Sequence, residues 1–122
     1  MKYITPLLVW VALVLIATMP TSSYAQSQAE MNQEASKNFD QADLALNRAY
    51  KQLLSKIDKE AQAKLKIAQR AWIAFRDGQA ELEADLEARG GSMAPLIYNG
   101  RRTEITKART KELQKLLEDY GN

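Results

Sequence analysis

Cysteine and histidine are both missing from the 122-residue sequence. Their absence removes thiol nucleophiles, imidazole general bases, zinc sites of the usual ligand types and structural disulfides. An excess of one charge is lacking too, since 17 basic residues face 15 acidic ones for a formal net charge of +2. So balanced a chain attracts phosphate weakly, and no basic stripe interleaved with aromatics occurs, which argues against nucleic acid as a partner. There is no Pro/Ser-rich linker, internal repeat or strand-like alternation, and the length suits one small domain.

What is present begins with a leader. Lys2 precedes an apolar run from Leu7 to Ala17, followed by Pro20 and the small-residue site Ser23-Tyr24-Ala25. This is the pattern of a secretory signal peptide over residues 1–25, cleaved after Ala25. The run is shorter than the roughly 20 apolar residues of a bilayer span and Pro20 ends it, so no stable membrane anchor is expected after cleavage. A lipid anchor at the cleavage site needs a Cys that the chain does not have. The expected location is periplasmic or secreted, with residues 26–30 as a flexible tail and residues 31–122 as the folded domain. An exported domain without disulfides must be held by core packing alone.

Apolar and small residues at Met31, Ala35, Phe39, Ala42, Leu46, Tyr50, Leu53 and Ile57 recur in steps of 3 and 4, which predicts one long helix. Ala61, Leu65, Ala68, Trp72, Phe75, Gln79, Leu82 and Leu86 predict a second, with Asp58 as its N-cap. The break between them is short, so the two should form an antiparallel hairpin. Gly90-Gly91 ends the second helix, and Ser92 is placed to cap a third that has Pro95 in its first turn. The third stripe is looser: Ile97, Arg101, Ile105, Ala108, Leu113, Leu116 and Tyr120, with Asn99-Gly100 expected to kink or fray its early turns. The predicted fold is all-α, an antiparallel three-helix bundle built on a long helical hairpin. The stripes can be satisfied within one chain or by a second copy.

Three clusters together resemble one family: Gln28 to Gln33 opening the first helix, Ala68-Gln69-Arg70-Ala71-Trp72-Ile73-Ala74-Phe75-Arg76-Asp77 in the second, and Gly90-Gly91-Ser92-Met93-Ala94-Pro95-Leu96-Ile97-Tyr98 before the third, followed by Thr106 and Arg109. In these the sequence resembles the LprI-like lysozyme inhibitors, small exported bacterial helical domains. The resemblance implies a non-enzymatic protein that binds and inhibits lysozyme-type muramidases. It also implies cysteines at the positions of Glu34, Ala80 and Arg101, so this chain is a cysteine-free variant. A turn centred on Gly90-Gly91 brings Ala80 near Arg101. Acidic Asp77, Glu81, Glu83, Asp85 and Glu87 then oppose basic Arg101, Arg102, Lys107, Arg109 and Lys111; either both strips are solvated surface, or Arg101 reaches Asp77 or Glu81 and partly replaces the covalent link.

Trp72, Phe75 and Tyr50 fall on the stripes and are expected in the core. Arg76 and Asp77 should form a partly buried cluster tying the helices together with Thr106 or Arg109. Single-helix carboxylate pairs such as Asp40 with Asp43 or Glu83 with Glu87 read as solvated surface, so no catalytic residue, metal site or cofactor is expected. The candidate partner surface is the 90–98 turn with the acidic strip beside it: Gly91, Ser92, Met93, Tyr98, Glu83 and Glu87. Two readings remain, inhibition of a lysozyme-type muramidase, or an envelope interaction and scaffolding module with another partner.

Overall fold

A computed structural model describes residues 21–122, with side chains from Gln26 onward. The apolar leader up to Pro20 lies outside the described residues. Three helices account for the fold: α1 from Thr21 to Lys56, α2 from Lys59 to Ala88 and α3 from Ala94 to Tyr120. Residues 26–30 continue α1, where Gln28 Nε2 donates to Asn32 Oδ1 at 3.1 Å. Among the described residues no helix is long and apolar enough to cross a membrane.

The α1–α2 corner is closed by side chains from α2. Asp58 caps as expected, its Oδ1 accepting from Ala61 N at 2.8 Å. Gln62 reaches back in the other direction and donates to the carbonyls of Leu54 and Ile57 at 3.0 and 3.1 Å, which satisfies oxygens that the end of α1 leaves free. At the second corner Gly90 takes φ +68°, the left-handed conformation that glycine adopts at least cost. Pro95 lies in the first turn of α3 as expected, whereas Ser92 makes no cap. Met93 holds the N-cap position, already helical in φ and ψ, and no side chain caps the helix. Asn99-Gly100 does not interrupt α3, which is continuous from Ala94 to Tyr120, and the Asn99 carbonyl also accepts from Thr103 Oγ1 at 2.8 Å.

Consecutive helices run antiparallel, and α3 returns alongside α1. The closest helix approach is α1 on α3, followed by α2 on α3, while α1 and α2 stand further apart. Small residues explain the difference. Ala35, Ala42 and Ala49 recur every seventh residue on the buried face of α1, and Thr103, Thr106 and Thr110 are buried on α3, so their backbones can approach. Leu46, Ala49, Leu53, Leu65 and Leu113 form the apolar core, with Tyr50, Leu54, Ile57, Trp72 and Leu117 packed around it.

The first stripe is borne out from Ala35 to Leu53, and the other two are rotated. On α2 the buried residues are Leu65, Gln69, Arg76, Ala80 and Ala84. Phe75, expected in the core, is 59% exposed, and Leu82 and Leu86 are exposed as well. The reason is chemical: Gln69 and Arg76 are long polar side chains that find partners inside, while Ala80 and Ala84 let α3 come close. On α3 the buried row is Thr103, Thr106, Thr110 and Leu113, which leaves Leu116 and Tyr120 outside. Threonine fits that row because its hydroxyl can bond its own helix, as Thr110 Oγ1 does to the Thr106 carbonyl at 3.0 Å.

Candidate partner-binding site at the α2–α3 turn

Three arginines and three aromatics, one aromatic from each helix, fill the space between α1 and α2. Arg102 lies 4.5 Å from the Tyr98 ring centroid and 3.6 Å from that of Phe39. Arg76 lies 5.0 Å from Phe39 and 5.2 Å from Trp72, and Arg109 lies 6.0 Å from Trp72. The result is an alternating column, Tyr98–Arg102–Phe39–Arg76–Trp72–Arg109, that ties all three helices together by cation–π contact. Arg76 is only 6% exposed and is compensated by Asp77 at 2.9 Å and Asp43 at 3.5 Å. Arg109 donates to Gln69 Oε1 at 3.2 Å and pairs with Glu112 at 3.0 Å. Arg76 and Asp77 thus pair as expected, whereas Arg109 bonds Gln69 and Glu112 and meets Arg76 only through the Trp72 ring. Thr106 does not take part, since its fully buried hydroxyl finds no partner.

The column supports the end of the bundle from which the turn projects. Gly91, Ser92 and Met93 form its exposed tip, closed by Gly91 N to the Ala88 carbonyl at 2.8 Å. The candidate residues divide between two sides of that end. On one side an open cleft of about 490 Å³ is lined by Glu81, Ala84, Asp85, Gly90, Pro95 and Tyr98. Tyr98 is half-buried there because Arg102 covers one ring face. On the other side Glu83 and Glu87 border a smaller cleft with Ile97, Gly100, Arg101 and Glu104.

Arg101 does bridge α2 and α3, but to Glu83 at 2.6 Å rather than to Asp77 or Glu81. Asp77 is engaged by Arg76. Glu81 lies two residues before Glu83, close to half a turn round the helix, and so faces the opposite cleft. Glu104 joins the pair at 2.9 Å, and the bond to Glu83, with that to Glu104 second, holds the Arg101 guanidinium above its already high ordinary pKa. Glu83 is thus committed within the chain, whereas Glu87 is exposed and available. Reading the sequence missed Arg102 as a member of the column and Gln69 as the buried acceptor beside it. One signal was visible: an aromatic followed by arginine four residues later occurs at both Trp72–Arg76 and Tyr98–Arg102.

A family model described as "Lysozyme inhibitor LprI" matches residues 19–113. The chain belongs to the LprI lysozyme-inhibitor family. The match takes in the helix-opening segment, the Gln69–Asp77 phrase and the Gly-Gly-Ser turn on which the resemblance rested. An uncharacterized protein of Rhizobium meliloti (strain 1021) is 41% identical over 116 residues, covering 84% of this chain and 83% of its own length. No solved structure matches the chain. Of the residues on which the resemblance rests, Trp72, Arg76 and Arg109 lie in the column and Asp77 lies beside it, while Phe75 is on the outer face of α2.

Proposed function

We propose that this LprI-family protein is exported and inhibits a lysozyme-type muramidase, with no catalytic activity of its own. The turn tip at Gly91, Ser92 and Met93 enters the glycan-binding groove of the enzyme. Tyr98 and Glu87 contact its rim, and Glu83 contributes through the acidic edge that it shares with Glu87. The observation that carries this reading is the pairing of a short exposed tip with a rigid base: the turn that must enter a groove is held by two long helices and the Tyr98–Arg102–Phe39 stack. Such preorganisation lowers the entropic cost of association. Many lysozymes are basic, and the exposed Glu81 and Glu87 favour encounter with them, although the small net charge keeps long-range steering modest.

The test is a cell-wall lysis assay with a purified muramidase and the processed chain. Lysis slows at near-stoichiometric ratios, and Ser92→Trp or Met93→Asp relieves the inhibition with the helical circular dichroism unchanged. Undiminished lysis in the presence of excess chain excludes the reading and leaves the protein as an envelope interaction module.

A further inference from the structure

The outer face of α2 carries a row of apolar side chains, and among the described residues no other helix covers it. Ile67, Phe75, Leu82 and Leu86 are between 51% and 70% exposed, over about 28 Å at 1.5 Å per residue. One exposed leucine is ordinary, whereas a continuous row on one helix marks a contact surface. Gly78 stands within the row. Glycine weakens a helix interior, and nothing lies within 4 Å of the position its Cβ would take, so the chain itself gains no packing from it.

Part of this face is matched about its own centre, while Phe75 and Leu86 mirror the alanines Ala74 and Ala63. Counting outward from the Ala74–Phe75 bond, Ala71 mirrors Gly78, Ile67 mirrors Leu82, Lys64 mirrors Asp85 and Glu60 mirrors Arg89. All eight are exposed, and their steps of 3, 4 and 7 keep them on one side of the helix. The charged residues pair within the chain, Lys64 with Glu60 at 3.2 Å and Arg89 with Asp85 at 2.6 Å, and in both couples the acid comes first. A second α2 laid antiparallel across this bond therefore sets Lys64 against Asp85 and Glu60 against Arg89 at each end. Ile67 then meets Leu82, and Ala71 meets Gly78, where the missing side chain allows close approach. Parallel pairing in register instead sets each charge against itself.

The geometry points to a homodimer in which the exposed face of α2 docks on the same face of a second copy, antiparallel, about a two-fold axis near the Ala74–Phe75 bond. The partner is a second copy because the charge order and the side-chain sizes are complementary to their own reversal. The Gly91–Met93 tips of the two turns then sit at opposite ends outside the α2 face, while Asp85 and Arg89 belong both to that face and to the wall of the Tyr98 cleft.

Sedimentation velocity on the chain purified from expressing cells gives twice the monomer mass in the micromolar range. Phe75→Glu and Gly78→Leu, both at sites open in the single chain, each return the monomer mass with unchanged helical circular dichroism. Glu60→Lys with Lys64→Glu keeps an ion pair inside the chain but opposes like charges across the axis, and raises the dimer dissociation constant roughly tenfold or more. Adding Asp85→Lys and Arg89→Glu restores association. A monomer throughout the micromolar range, a dimer indifferent to both single variants, or a quadruple variant as weak as the double overturns the proposal.

Discussion

The Arg102 guanidinium lies 3.6 Å from the centroid of the Phe39 ring, joining the early turns of α3 to α1. The same ring meets Arg76 from α2 at 5.0 Å, so Phe39 is shared by two cations that come from different helices. Arg102 also donates to Asn99 Oδ1 at 2.7 Å, which fixes the plane of its fork. A bundle whose α1 and α2 stand apart is thus bridged by flat cations and flat rings, a solution that needs no cysteine.

Arg102→Ala is expected to lower unfolding free energy by about 1–2 kcal/mol, the range for a partly desolvated cation–π contact. Arg102→Lys recovers only part of it, because a compact ammonium cannot stack between two rings. Urea unfolding of Arg102→Ala, Phe39→Leu and the double variant gives a coupling energy near 1 kcal/mol. Strictly additive losses mean that the column is proximity without interaction.

Arg101 is the local substitute for a covalent link, and its worth is small. Its pair with Glu83 is short, but both side chains are about one-third exposed, so Arg101→Ala costs about 0.5–1 kcal/mol at low ionic strength and less in high salt. A raised guanidinium pKa means that the favourable term is fully present below the unfolded value and is lost only as pH rises through the folded one. Salt rather than mild alkali therefore weakens the pair. Thermal melts of wild type and Arg101→Ala at low and high salt check this, and equal melts in low salt refute it.

The all-α class, the three helices and the Asp58 and Gly90 punctuation were legible because each depends on local chemistry: apolar spacing, a carboxylate cap, a residue free to take positive φ. On α1 the stripe also named most of the core: Ala35, Phe39, Ala42, Leu46 and Leu53 are buried, while Met31 is exposed and buried Ala49 is not on it. Reading α2 by hydropathy failed at Phe75, whereas Arg76 lies in the partly buried cluster expected of it, because burial there follows partners rather than polarity. Arg76 goes inside where Phe39, Trp72, Asp43 and Asp77 receive it, and Phe75 goes outside. The threonine row of α3 was invisible for a related reason: Thr103, Thr106 and Thr110 score as polar, yet two of them return their hydroxyls to their own helix. The Glu83 partner of Arg101 depended on helical phase near the turn, which symmetry about Gly90-Gly91 does not supply.

The α1–α2 corner rests on two side chains that serve opposite helix ends. Asp58→Ala leaves the Ala61 amide without its acceptor, and Gln62→Ala frees the Leu54 and Ile57 carbonyls. Each is expected to cost about 1 kcal/mol, the usual scale for a lost cap or hydrogen bond. Amide hydrogen exchange near residues 54–62 quickens in both variants. Unchanged exchange there shows that water replaces these bonds without loss.

Thr106 is fully buried, and its Oγ1 has no hydrogen-bond partner among the described residues, unlike the hydroxyls one turn before and after it. Its methyl group packs while its hydroxyl carries a desolvation cost that nothing offsets. Valine keeps the branched shape and removes the unsatisfied oxygen, and helix propensity differs little between the two residues. Thr106→Val is therefore expected to stabilise the fold by up to about 1 kcal/mol, whereas Thr106→Ala leaves a small cavity and destabilises it. Denaturant unfolding of the two variants separates the contributions. A loss of stability in Thr106→Val as large as that in Thr106→Ala shows that the hydroxyl is satisfied in solution by an internal water.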